Sequence, residues 1–350
     1  MMEINELIRK NIRDLQPYSC ARDEYSGENA VLLDANENPF ETGYNRYPDP
    51  YQQKLKAAIA GLKKVDVDRM LLGNGSDEII DLLIRSVCEP GANNIVVFSP
   101  GYSMYEVSAA INAVEVKKIN LTPAFLPDWE EMKRQIDENT RIIFLCTPNN
   151  PTGKVIPYEQ IAIICREFSG LVLVDEAYID FTAERSAVGL LDQYPNVVVL
   201  QTLSKAWGMA GLRLGICFAS PDLIRILNRV KAPYNISSLT QDVVLRLLMD
   251  QEEFQRKCIV IKTERTRLLE ELRNLNLFDR VYDSEANFIL VTSQNSRVIY
   301  RELISQNIVV RLRDIPPLIP GGIRITVGTP KENMRLIKVL NTVKPIVDTF

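Results

Sequence analysis

Five short apolar runs in the middle of this 350-residue chain constrain its architecture more than any other feature. They are IVVF (95–98), RIIFLC (141–146), LVLVDEAY (171–178), NVVVLQTLSK (196–205) and LRLGICFA (212–219). Each is nearly continuous in Val, Ile and Leu, with little alternation. A strand with one wet face alternates apolar and polar residues; a strand covered on both faces does not. Helical patterns lie between the runs. Asp128 stands where an N-cap would precede WEEMKRQI, and Pro157 before YEQIAIICREF suits a helix first turn. Strand and helix in this alternation predict an α/β fold: an open, mainly parallel sheet wrapped by helices.

Beyond residue 240 the texture changes. The charged stretch 251–275 reads as one long helix, and NFILV, RVIYRELISQ, IVVRLR, IRITVG and a last helix follow it. These predict a smaller α+β domain. DIPPLIPGG (314–322) is too rich in Pro and Gly to be strand or helix. The expected division is a large domain over 35–245 and a small domain made of 246–350 with 1–34, the N-terminal helix joining the latter.

Composition narrows the chemistry. The chain has no histidine, which excludes Ser-His-Asp and Cys-His catalysis within one chain, and His-ligated zinc. Proton transfer near neutral pH then falls to Lys, Tyr, Cys, a carboxylate or a cofactor. A net charge of −4 gives no reason to expect nucleic acid or an anionic membrane as partner. No apolar run is long enough to span a bilayer, and the amphipathic opening MMEINELIRKNIRDL does not resemble a secretory leader. The six cysteines include no C-x-x-C pair and several lie in apolar runs, as expected of reduced core thiols in a cytoplasmic protein. No metal site is expected.

Ligands on open α/β sheets bind beyond the carboxyl ends of the strands. Three polar clusters fall there: Asn149-Asn150-Pro151-Thr152-Gly153, Asp175-Glu176-Ala177-Tyr178, and Thr202 with Ser204 and Lys205. One such cluster is usually only a turn; three in succession on one sheet edge point to a constructed site. GNGSDEIIDLLIRSV (73–87) adds a glycine turn opening an apolar helix, whose free N–H groups would suit a phosphate. By itself such a start is more often an ordinary cap.

The set NENP (36–39), RYPDP (46–50), GNGSDE (73–78), PNNPTG (148–153), DEAY (175–178), SKAWGMAGLRLG (204–215) and RITVG (324–328) resembles the histidinol-phosphate aminotransferases across nearly the whole chain. PNNPTG, DEAY, and SK followed by Arg213 mark fold-type I pyridoxal-phosphate enzymes generally; the other motifs narrow the match. The resemblance implies pyridoxal 5'-phosphate as cofactor, with L-histidinol phosphate and 2-oxoglutarate or glutamate as reaction partners, in histidine biosynthesis. It implies Lys205 as the covalent anchor and base, Asp175 as partner of the ring nitrogen, and Tyr178 and Asn150 on the ring oxygen. Tyr102 would stack on the ring. Ser76, Asp77, Ser204 and Arg213 would surround the phosphate, Asp77 through its backbone N–H with its side chain facing elsewhere. Tyr47 would reach the phosphate of a neighbouring subunit, which implies a homodimer with shared sites.

For the substrate the resemblance implies Arg324, whose guanidinium fork suits phosphate and carboxylate alike. Tyr18, Asn36 and Arg311 would assist, with Arg311 preferred to Arg313. DIPPLIPGG is more apolar than the stretch expected between those arginines, and no residue is assigned to the imidazole. Three other readings stay open. An aromatic or broad-specificity aminotransferase would share every cofactor residue. A threonine-phosphate decarboxylase would share the motifs and release carbon dioxide. A regulator with an aminotransferase-like effector domain would need an added DNA-binding module, and no basic patch supports one.

Overall fold

The computed structural model describes residues 4–16, 18, 20, 22 and 30–343. A seven-stranded sheet holds the middle of the chain: β1 (Met70–Asn74), β2 (Asn94–Ser99), β3 (Glu115–Asn120), β4 (Thr140–Cys146), β5 (Leu171–Asp175), β6 (Val197–Thr202) and β7 (Leu214–Phe218). Their order across the sheet is β1-β7-β6-β5-β4-β2-β3. Pairings from β3 through β6 are parallel; β7 runs antiparallel to both β6 and β1. The chain is thus α/β with a mainly parallel open sheet.

The apolar runs lack alternation because each face of the sheet has its own core. Ile143, Leu145, Val172, Val174, Val197 and Val199 pack on one side with the helices Gln53–Lys63 and Tyr158–Glu167. Ile142, Phe144, Leu171, Leu173, Val198 and Leu200 pack on the other with Ser76–Val87, Met104–Ile111 and Pro221–Val230. Asp128 caps its helix through the Glu131 N–H at 3.0 Å, and Pro157 is the N-cap of Tyr158–Glu167. The run LVLVDEAY stops being strand at Asp175. There the Ala177 N–H turns back onto the Asp175 carboxylate, at 3.1 Å. Strand β3 has no place among the five apolar runs. It lies at the sheet edge, and of its residues Ile119 alone is buried.

A second, antiparallel sheet of β8 (Arg280–Val281), β9 (Phe288–Thr292), β10 (Arg311–Leu312) and β11 (Gly322–Thr326) has the order β10-β11-β9-β8. It packs with the helices Gln251–Arg273, Ser296–Ser305 and Pro330–Leu340 around a core that includes Leu268, Ile289, Ile299, Ile323 and Leu336. The N-terminal segment does not join this unit, contrary to expectation. Ile4, Leu7, Ile8 and Ile12 insert into the core beneath Pro221–Val230, and the Arg9 N–H donates to Ser86 O at 3.0 Å. Its apolar stripe packs with Ser76–Val87 and Pro221–Val230 in the core of the large sheet. Where the units meet, Tyr178, Phe181, Ala206, Cys258, Ala286 and Phe288 form a small apolar cluster. That junction sits beside the strand ends that carry the motifs.

Candidate active site

Beyond the carboxyl ends of β4, β5 and β6 lies a cavity of ≈ 230 Å³. Its lining includes Lys205, Asp175, Tyr178, Ser76, Asp77, Tyr102, Asn150, Ser204, Arg213 and Arg324, every one of them expected in the site. Gly75, Cys146, Ala177, Thr202, Ala210 and Arg313 complete it.

At the floor is Asp175, the last residue of β5 and 4% exposed. Burial raises its carboxyl above the usual range. The Tyr105 hydroxyl, donating at 2.5 Å, and the Ala177 N–H, donating at 3.1 Å, favour the ionised form. Tyr105 is a site residue that the sequence did not reveal. It sits on Met104–Ile111, stacks on Phe144 at 4.6 Å, and reads in sequence as an ordinary core aromatic. Its one signal was position, three residues after Tyr102 and so on the same face if the helix began one turn earlier.

Lys205 follows β6 by three residues. Desolvation lowers its proton affinity first, and the nearby Arg324 charge lowers it further. Its Nζ stands 5.7 Å from the centre of the Tyr178 ring. Tyr178 packs edge-on against Phe288 at 5.1 Å, and burial pushes its phenol above the ordinary value, so it stays a donor.

One wall is a cradle for an anion. Gly75, at φ +80°, turns β1 into the helix Ser76–Val87 and offers no side-chain cap to the first-turn N–H groups. Arg213, itself at φ 53°, lays its guanidinium across that turn. A Cβ on Gly75 would stand 2.5 Å from an Arg213 nitrogen and push that guanidinium aside, and the angle itself favours glycine. The Asp77 side chain is not turned away as expected. It accepts from the Tyr102 hydroxyl at 2.9 Å and stands 3.7 Å from Arg213. Tyr102 meets Tyr105 edge-on at 5.5 Å.

The opposite wall comes from the second sheet. Arg324 on β11 donates to Asn150 Oδ1 at 2.5 Å and lies 5.3 Å from the Phe288 ring centre. Arg313 stands beside it. Burial weakens the proton affinity of both guanidinia, the Arg311 charge weakens both further and the Arg324 charge that of Arg313, and no ion pair among the described residues neutralises either. Arg311 is not part of the lining. It pairs across the hairpin with Arg324 and stays exposed, whereas Arg313, two residues on, reaches the cavity. The preference for Arg311 is thus corrected to Arg313, which lines the cavity: residues two apart share a strand face, so alternation could not choose between them.

Tyr47 and Asn36 lie elsewhere. They line a second, open cavity of ≈ 630 Å³ with Arg46, Tyr234 and Leu239, and Tyr47 stacks on Tyr234 at 4.5 Å. Tyr18 is 65% exposed and lines neither cavity. No group of His, Cys, Asp and Glu among the described residues could hold a metal ion.

This arrangement can anchor a carbonyl compound on an amine, hold a cationic ring nitrogen on Asp175, and bind one anion at each end. Comparison with known proteins agrees. The family model of class I and II aminotransferases matches residues 24–340. The chain is 48% identical over 344 residues to a histidinol-phosphate aminotransferase of Parabacteroides distasonis, covering 98% of this chain and 100% of that one. It is 46% identical to the enzyme of that name from Flavobacterium johnsoniae, covering 97% of this chain and 98% of that one. The crystal structure of histidinol-phosphate aminotransferase from Clostridium acetobutylicum superimposes with a TM-score of 0.77 at 26% identity, over 85% of this chain and 90% of that one.

Proposed function

We propose the reaction of this site from the premise that the chain belongs to the class I and II aminotransferases and, within them, to the histidinol-phosphate aminotransferases. It transfers the amino group of L-histidinol phosphate to 2-oxoglutarate, giving imidazole acetol phosphate and glutamate, reversibly. The observation that carries this reading is the meeting of Lys205, Asp175 and two anion-binding walls in one cavity.

The residues present fit pyridoxal 5'-phosphate. The Gly75 turn leaves room and N–H donors for a phosphate, with Ser76, Ser204 and Arg213 around it. The buried Asp175 carboxylate calls for a cationic partner, which a protonated ring nitrogen would be. In this reading Tyr178 and Asn150 would bond the ring oxygen, Tyr102 would cover the ring, and Lys205 would hold the carbonyl carbon. Bound there, the cofactor would serve as the electron sink for the pair left at the substrate carbon and as carrier of the amino group between the two substrates.

The rest of the work falls to the chain. Lys205, its proton affinity already lowered, acts as the base that takes the proton from the carbon bearing the substrate amine and returns one later. Asp175 keeps the ring-nitrogen proton in place. Arg324 and Arg313 bind the phosphate ester of one substrate and a carboxylate of the other, because a guanidinium fork accepts either anion. Tyr18 and Asn36 belong to the same reading as substrate contacts.

The site is shared in a homodimer, with Tyr47 reaching the partner's cofactor phosphate. Two features support this: Tyr47 does not line its own chain's cavity, and Val31, Leu33, Phe40 and Tyr44 of the same stretch of chain are exposed. The division into 35–245 and 246–350 follows the two sheets. No described helix is long and apolar enough to cross a membrane, and a cytoplasmic location is part of the reading.

A half-reaction tests it. The cofactor-loaded protein is mixed with L-histidinol phosphate without keto acid, and the cofactor absorbance is followed. Stoichiometric conversion to the amine form, reversed by 2-oxoglutarate, is expected. Conversion only by phenylalanine or tyrosine would replace the substrate assignment. Carbon dioxide release from threonine phosphate, with no conversion by any amine, would replace the reaction.

A further inference from the structure

A polar network outside the cavity ties its anion cradle to the turn that follows Tyr47. Lys231, 6% exposed, ends the helix Pro221–Val230. Its ammonium donates to four oxygens: Pro50 O at 3.0 Å, Ala232 O at 3.1 Å, Pro233 O at 3.3 Å and Asn235 Oδ1 at 3.1 Å. With three protons for four acceptors, the ammonium is held in an oxygen cage, and burial lowers its pKa to about 8. Burying a charge this way is costly, and a chain that needed only a loop contact there could use a neutral donor.

Asn235 carries the link onward. Its Nδ2 donates to Leu72 O at 3.0 Å and to Glu78 Oε2 at 2.9 Å. Glu78 also accepts from the Asn74 N–H. These acceptors bracket the Gly75 turn, one on β1 and one in the first turn of Ser76–Val87. On its other side Asn235 Oδ1 accepts from Lys231 and, at 3.4 Å, from Gln52 Nε2. Gln52 is fully buried and also donates to Pro50 O at 2.8 Å. All four bonding directions of the Asn235 amide are used. Turning the amide over would set its NH2 against an ammonium and its oxygen against a carboxylate, so the orientation is fixed.

We propose that Lys231 and Asn235 are positioning residues for the anion cradle: they clamp the end of β1 and the first turn of Ser76–Val87 to the turn 49–52, and so set the aim of the cradle's N–H groups. This rests on reading that cradle as the holder of the cofactor phosphate. Neither residue lines the cavity, so neither takes part in the chemistry.

The test compares two ligands on the full-length chain. Affinity for pyridoxal 5'-phosphate and for pyridoxal, which lacks the phosphate, is measured by absorbance titration for wild type, Lys231→Met and Asn235→Asp. Both variants should weaken the phosphorylated ligand about tenfold or more, and leave pyridoxal affinity and kcat at saturating cofactor within about twofold. Lys231→Arg, which keeps the cation, should recover most of the loss. Unchanged affinity for the phosphorylated ligand, or equal losses for both ligands, would overturn the proposal, since a general structural defect does not distinguish them. Should Asn235→Asp fail to fold, Glu78→Gln weakens the same arm and is read the same way. A wild-type chain that does not prefer the phosphorylated ligand would overturn the cradle reading itself.

Discussion

The two ends of the cavity are built on different principles. The end proposed for the cofactor is assembled from the ends of parallel strands in the middle of a seven-stranded sheet, where Asp175 and Asn150 are at most 5% exposed. Its polar groups already have partners: Tyr105 on Asp175, Tyr102 on Asp77, Arg213 across Gly75. The end proposed for the substrate is an edge hairpin of the small sheet, where Arg313 and Arg324 face the cavity and no carboxylate among the described residues pairs with either. A preorganised end suits a group that stays bound through every turnover. An end with unneutralised positive charge can take successive anions of different shape, each supplying what the last one took away.

Breaking the cofactor end should therefore do the greater damage. Lys205→Ala should lower the rate of the half-reaction by about a thousandfold or more, and should remove the borohydride-reducible link between chain and cofactor. Asp175→Asn should follow at about a hundredfold, with the loss in kcat rather than KM, because the Asp175 contact matters most as charge develops on the ring. Retention of the reducible link in Lys205→Ala would sink the lysine assignment.

The substrate end should fail differently. Arg324→Ala and Arg313→Ala should each raise KM for histidinol phosphate and for glutamate about ten- to a hundredfold, while the covalent cofactor signal is kept. Arg324→Ala should be the worse, since Asn150 loses its partner at 2.5 Å as well. A loss confined to kcat in either variant would mean that the two ends are not separable in the way their construction suggests.

The rigidity of the cofactor end can be read from behind it. Glu176, next to Asp175, points to the opposite side of the strand end. It accepts from Ser186 Oγ and the Ala187 N–H at 2.6 Å each, and from Gln201 Nε2 at 2.8 Å. Burial raises its carboxyl from 4.5 to about 7. The folded chain then binds a proton between these values that the unfolded chain has released, so this contribution to stability is present below 4.5 and is lost as pH rises through about 7. Glu176→Gln removes the titration. The stability difference between wild type and Glu176→Gln, followed by denaturant unfolding, should shift toward wild type by up to about 3 kcal/mol as pH falls across that window. A pH-independent difference would show that Glu176 is not titrating where its surroundings place it.

The same contrast explains what the sequence disclosed. PNNPTG, DEAY and SK were legible because each follows an uninterrupted apolar strand, and a parallel sheet delivers every strand end to one edge. Tyr105 was hidden: inside a helix, an aromatic that bonds a buried carboxylate of the cavity and one that fills a core have the same spacing. The N-terminal stripe of Ile4, Leu7, Ile8 and Ile12 told of a buried face but not of which unit buries it. The substrate end was the least legible because its arginines flank a loop, and the path of DIPPLIPGG from 314 to 322 is set by tertiary packing, including the Ile315–Ile319 bridge.

The smallest expected effect is the sharpest test of that end. Arg311 and Arg313 share a strand face and a charge, and Arg311 stands directly opposite Arg324 in the hairpin. If long-range positive potential alone recruited the anions, removing either would cost about the same, and both costs would fall together as salt is raised. If contact decides, Arg313, which lines the cavity, and Arg311, which does not, should separate. Arg311→Ala should change KM for histidinol phosphate by less than about threefold, and that change should vanish at high ionic strength. The Arg313→Ala defect should persist there, because a charge within a partly dry cavity is poorly screened. Equal, salt-sensitive defects would mean that the substrate end works as a field rather than as a pair of forks.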